Sequence, residues 1–174
     1  RNVKVNGEGA IISANKVVIN GIQQVENSGT ILGNEGVSIN AENITNDKGR
    51  VQGDVVLLQA ENTLKNIGGV IEGKDAILAQ AKKVQIEGSV SETQDDGKFR
   101  QKIIGKAAEI NLTNKEGEVQ IYADEDITVK GAKANIAGDA VFNAKGKLEL
   151  GALDTHNKEH YGSGDKYYRL DQEM

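Results

Sequence analysis

Residues 25–33 read VENSGTILG, residues 44–53 read ITNDKGRVQG and residues 64–73 read LKNIGGVIEG. These are three copies of one phrase: an aliphatic residue, an Asn, a Gly, another aliphatic residue and a second Gly. Recurrence at a step of about twenty residues is the signature of stacked repeats, in which each unit buries its apolar face only against its neighbours. Carrying the same step outward lines up further columns. Gly9, Gly29, Gly49 and Gly69 form one, and Ile11, Ile31, Val51 and Ile71 the next. Ser13, Gly33, Gly53 and Gly73 follow, then Val17, Val37, Val56 and Ala76, then Ile19, Ile39, Leu58 and Leu78. Val5, Val25, Ile44, Leu64 and Val84 close each unit, with Asn27, Asn46 and Asn66 as a shorter polar column.

The spacing slips by one residue at Asn46–Gly49, Gly53–Val56 and Ala60–Leu64. A corner tolerates an extra residue, whereas a one-residue slip within a strand would turn its inner face outward. Between corners the apolar positions alternate: Ser38 and Asn40 separate Val37, Ile39 and Ala41. That period of two marks short strands with one buried face, and a glycine in every unit weakens any helical alternative. A single unit of this kind orders too much backbone for the few aliphatic side chains it buries. Stacking supplies the rest, so the expected fold is all-β: a parallel β-helix, or solenoid, with coils of about twenty residues. Seven or so coils at about 4.8 Å each would give a rod on the order of 35 Å long. Around Ala76–Ala81 two alignments, one residue apart, fit equally well.

The first type of repeat covers residues 1–88. Residues 89–105 break the columns with the polar stretch SVSETQDDGKFRQK and a turn signal at Asp95-Asp96-Gly97, which reads as an inserted loop or hairpin on the rod's flank. Residues 106–152 resume with a second type. Val119, Ile121, Ala123, Ile127, Val129 and Gly131 match Ala140, Phe142, Ala144, Leu148, Leu150 and Ala152 at an offset of 21. Residues 153–174 are non-repetitive.

Composition narrows the function classes. Aromatic residues make up 3 % of the chain, proline and cysteine are absent, and glycine occurs 21 times. Such a core consists of thin Val, Ile, Leu and Ala layers, and every residue keeps a backbone N–H for a ladder. The absence of cysteine rules out disulfides and cysteine-ligated metals and is compatible with export. A formal charge of −5 with no basic run argues against nucleic acid as a partner. No apolar run approaches the roughly 20 residues that span a bilayer. The chain opens on Arg1 within the pattern, so an excised piece of a longer protein is expected.

VENSGTILG, ITNDKGRVQG and LKNIGGVIEG resemble the haemagglutinin repeat of filamentous-haemagglutinin-type proteins. Residues 118–152, EVQIYADEDITVKGAKANIAGDAVFNAKGKLELGA, are similar to the second repeat type of that family. The resemblance spans nearly all of residues 3–152. It implies a right-handed parallel β-helix, exported by two-partner secretion through a cognate outer-membrane transporter, in a secreted or cell-surface adhesin, haemolysin or contact-dependent growth-inhibition toxin. It further implies that the repeats form a stalk. Contacts with a host or neighbouring-cell receptor would then belong to other regions, and this stretch would be monomeric, with neither cofactor nor catalysis.

The rival reading is a carbohydrate-active or glycan-binding β-helix protein, in which carboxylates and basic groups converge on an exposed strand face. The acidic run Asp124–Asp126 and the pair Asp95, Asp96 are the candidates for such chemistry. The run falls where sister units have Glu42-Asn43 and Lys145–Lys147, so a solvated corner is the expected role. His156 and His160 have the spacing of a helical metal pair but no third ligand pattern. The glycines of residues 162–166, GSGDK, lack the Ser/Thr that follows a phosphate-loop lysine. Asn43 and Asn111 begin glycosylation sequons. Asn27, Asn46, Asn66 and the companion glycines Gly29, Gly49 and Gly69 read as a turn-stabilising ladder. His156, His160, Tyr161, Tyr167 and Tyr168 cluster after the last column. They leave three roles open for the final segment: a strand covering the rod's end or flank, a tail, or a partner site.

Overall fold

A computed structural model describes residues 1–95, 100–151, 153–154, 158–161 and 166–171, with side-chain surroundings for residues 1–90 and 105–151. It is a parallel β-solenoid of about 6 turns, 79 % strand, with no helix among the described residues and with coils about 21 residues apart. The strands are β1 (Asn2–Val5), β2 (Ile11–Asn27), β3 (Thr30–Asp47), β4 (Arg50–Ile67) and β5 (Val70–Glu87), then β6 (Val90–Asp95) and β7 (Arg100–Ile104). They continue with β8 (Ala108–Leu112), β9 (Glu118–Lys130), β10 (Ala132–Ile136), β11 (Asp139–Ala144), β12 (Leu148–Leu150), β13 (Leu153–Asp154), β14 (Lys158–Tyr161) and β15 (Lys166–Asp171).

The long strands run around the rod, and breaks in pairing register mark their corners. In β3 against β4 these fall between Gly33 and Gly36 and between Ala41 and Asn43. Each coil therefore has three faces. In β3 these are residues 30–33 on the first face, 36–41 on the second and 43–47 on the third. The corners absorb the length differences that self-comparison detects: Gly33 to Gly36 becomes Gly53 to Val55, and Ala41 to Asn43 becomes Ala60 to Thr63 one coil on.

Inside, alternate residues stack in columns. Val37 lies on Val56, then Ile77, Val119 and Ala140; Ile39 lies on Leu58, Ala79, Ile121 and Phe142. All of these are buried. Phe142, the largest fully buried side chain, fits because Ala134, Ala140 and Ala144 of the same coil are small and also buried.

Two parts of the expected alignment are corrected. In the fourth coil the inward residues are Ile77, Ala79 and Ala81, so Ala76 and Leu78 leave the inner columns and face outward. The corner from Gly73 to Ala76 is one residue longer than that from Gly53 to Val55, which moves the phase by one. In the first coil Val3, not Val5, pairs with Val25, and Val5 pairs with Asn27. Ile12 rather than Ile11 pairs with Ile31, Ala14 rather than Ser13 with Gly33, and the Ala10 carbonyl accepts from Thr30 where Gly9 was expected. Two corners are responsible: Ala14 to Lys16 is one residue shorter than Gly33 to Gly36, and the corner from Val5 to Ala10 carries four residues, with Gly7 and Gly9 at φ 90° and 88°, so a fixed step of twenty misplaces what precedes Lys16.

Residues 89–105 hold β6 and β7, an antiparallel pair forming a sheet of its own. Ser89 closes its base: the Ser89 N–H donates to the Lys106 carbonyl at 2.8 Å, and the Lys106 N–H donates to Ser89 Oγ at 2.9 Å. This base lies at the corner between the third and first faces. After β12, β13 pairs in parallel with β10, whereas β15 runs antiparallel on β11 and β14 antiparallel on β15.

Candidate functional site

The most ordered polar feature is inside the rod. Asn27, Asn46 and Asn66 are buried on the third face, immediately before the corner. Asn27 Nδ2 donates to Asn46 Oδ1 at 2.9 Å, and Asn46 Nδ2 donates to Asn66 Oδ1 at 3.0 Å. Each Nδ2 also reaches corner backbone: Asn27 donates to the Arg50 carbonyl at 3.0 Å, and Asn46 to the Gly49 and Val70 carbonyls at 3.1 and 3.3 Å. Asn66 donates to the Gly69 and Glu109 carbonyls at 3.2 and 3.3 Å. The Gly29 N–H donates to Asn27 Oδ1 at 3.2 Å.

The glycine column follows from this ladder. A Cβ on Gly49 would lie 2.6 Å from Asn27 Nδ2 and 2.7 Å from Asn46 Oδ1, and one on Gly69 would lie 2.6 Å from Asn66 Oδ1. Asn and Gly therefore occur together. Where the Asn column continues as Ile86 and Val129, Ala108 and Ala132 continue the glycine column. The exchange begins at Ile86, within residues 1–88, so the amide and the glycine leave the corner together. These bonds join neighbouring coils to one another and to corner carbonyls, so the ladder's chemistry is to hold corners together.

The remaining candidates lie on the outside. Asp124 and Glu125 are exposed, and Asp126 Oδ1 accepts from the Lys147 N–H at 2.9 Å, tying one corner to the next. Among the described residues no group of three His, Cys, Asp or Glu could hold a metal ion. Asn43 Oδ1 accepts from Thr63 Oγ1 at 2.7 Å, and Asn111 Oδ1 accepts from Asn135 Nδ2 at 2.8 Å, so both sequon amides are engaged between coils. A polar trough of about 210 Å³ follows the corner between the first and second faces, lined by Asn34, Gln52, Asp54, Glu72, Lys74 and Thr113. Its Glu72 is 3.7 Å from Arg50.

Glu149 is the one carboxylate whose ionisation is clearly displaced among the described residues. Lys130 and Lys147, each 3.4 Å away, hold its pKa below the ordinary glutamate value by their charge. The site is open to water, which makes it a surface ion-pair cluster rather than a poised acid.

His156, Asp96 and residues 162–165 lie outside the described residues, as do the side chains of Asp95, His160, Tyr161, Tyr167 and Tyr168. By backbone, His160 and Tyr161 belong to β14, and Tyr167 and Tyr168 to β15, with Tyr168 opposite Phe142. The inner columns do not pick out the outward positions of the second face, among them Val18, Leu57 and Tyr122, and they wrongly include Leu78. The signal was present, because positions that alternate with an inner column form an outer one.

No helix among the described residues is long and apolar enough to cross a membrane. Comparison with protein-family models, with curated proteins and with solved structures finds no match to this chain.

Proposed function

We propose that this chain is a structural stalk segment of a large secreted bacterial surface exoprotein, one that works in adhesion or contact-dependent growth inhibition, and that it turns over no substrate. The observation that carries this reading is the aliphatic stack, continuous across the hairpin, where β5 pairs directly with β8 and β9. A rod built this way lengthens by about 4.8 Å per coil without changing its cross-section. That is the mechanical requirement of a stalk, and it explains why the polar ladder is directed inward, at the corners. The haemagglutinin-type phrases add export through a cognate outer-membrane transporter, with a host or neighbouring-cell receptor engaged by other regions.

Two assays test the proposal. Antibody raised against the chain should label intact cells of the source organism; labelling only after permeabilisation would overturn the surface role. Incubation with a panel of bacterial and host polysaccharides should leave them uncleaved. Time-dependent release of shorter chains would put the carbohydrate-active reading in its place.

A further inference from the structure

The outward side chains of the second face are unlike those of the other two. On the third face, Lys65, Lys83, Glu87, Asp126 and Lys130 point outward among neutral residues, and Arg50, Glu72 and Glu109 do so on the first. On the second face the middle coils present Gly36, Ser38 and Asn40, then Val55, Leu57 and Gln59, then Ala76, Leu78 and Gln80, with no charge. Within these six coils charge is confined to the first of these columns, as Lys16 in the first coil and as Glu118 and Asp139 in the last two, and β15 continues the sheet beyond β11 with Arg169 paired to Val141. Val18 is 69 % exposed, and Leu57 and Tyr122 are each 38 % exposed. An apolar and amide strip on a flat parallel sheet is a surface that water covers poorly.

We propose that the second face docks a second copy of this chain, face to face, about a two-fold axis running along the strands between Leu57 and Leu78. Such a rotation keeps each column opposite itself and reverses the order of the coils. It sets Leu57 against Leu78 of the other copy, Val18 against Val141, and Gln59 against Gln80. It sets the small Asn40 against the large Tyr122, and Lys16 against Asp139 with Glu118 beside it. An isologous interface requires a surface complementary to its own reversed copy. This strip meets the requirement in charge at its ends, in apolarity along its middle column and in amide pairing along its third. Among the described residues Lys16 meets Glu35 of its own copy at 3.9 Å, a distance that leaves room for a closer partner. The β6–β7 hairpin leaves the rod at the corner between the third and first faces.

Five inter-strand steps of about 4.8 Å by about five residues of strand give roughly 400 Å² of sheet per copy. That is about half the per-partner area of a stable standard interface, so the dimer is weak and concentration-dependent. The inference departs from the monomer expected of the repeats.

Sedimentation equilibrium over a concentration series tests it. The chain should shift from monomer to dimer, and Leu57→Asp with Leu78→Asp should abolish the shift while circular dichroism and melting stay unchanged, since both side chains point away from the core. Lys16→Asp should weaken the dimer about tenfold, because the two-fold forms each ion pair twice, and adding Asp139→Lys should restore it. Orientation is read by crosslinking, the chain having no cysteine of its own. A short bismaleimide should join Val18→Cys to Val141→Cys in a mixture, yet leave Val18→Cys alone unlinked, its two copies being about 24 Å apart. A chain monomeric up to about 1 mM, a dimer that survives the double Leu variant, or ready crosslinking of Val18→Cys alone would each overturn the proposal.

Discussion

Replacing Asn46 with Val tests whether the amide ladder holds the corners. Asn46 is 2 % exposed, accepts from Asn27 and donates to Asn66, Gly49 and Val70. Valine removes these bonds and leaves Asn66 Oδ1 buried without its donor. Asn27 Nδ2 still has the Arg50 carbonyl, and the Gly49 carbonyl still accepts from the Val70 N–H at 2.8 Å, so the loss is not the full set. At about 1 kcal/mol net per lost bond and 1–3 kcal/mol for an orphaned buried acceptor, the expected cost is about 3 kcal/mol. The more discriminating measurement is additivity. Converting Asn27, Asn46 and Asn66 together to Val removes partners as well as amides and orphans no side-chain amide. The triple variant should therefore cost roughly half the sum of the three single variants. Urea unfolding followed by circular dichroism gives each value, and amide exchange at Gly49 and Val70 locates the damage. A single-variant cost below about 1 kcal/mol, or strict additivity, would show that the ladder is peripheral to stability.

Lys48 adopts φ 58° where the next coil has Gly68 at 60°, so Lys48→Gly should raise stability by about 0.5–1 kcal/mol, and a lower melting temperature would refute the strain. Deleting residues 158–174 uncovers β11, and its amides facing β15 should exchange about tenfold faster; unchanged exchange would mean that β15 protects nothing. Glu149 has a folded pKa below its unfolded value. Its contribution is therefore present above the unfolded pKa and lost as pH falls through the depressed one. Glu149→Gln should accordingly melt below the parent at neutral pH and converge with it in acid, with the gap shrinking in salt. A gap that widens on acidification would reverse the assignment.

The sequence alone determined the coil, its strands and its corners. Inward residues must be aliphatic in every layer, because each layer is covered by the next, and this repetition writes itself as columns. The Asn and Gly columns were equally legible, since an amide stacked on a corner excludes a Cβ there. Phase was decided only by tertiary structure. Self-comparison cannot tell Ala76 and Leu78 from Ile77 and Ala79, for both alternations are apolar, and burial of Ile77 against Val56 selects one. Nor can a fixed step anticipate the four-residue corner between Val5 and Ala10, where two left-handed glycines add chain without adding height. Charge placement followed the same division. Lys147 and Glu149 are two residues apart, but Lys130 joins them only because neighbouring coils bring their third faces together. The outward strip of the second face became a surface only when the corners set which columns lie side by side. Alternation states which side chains point out, but the length of each corner decides what they point out beside.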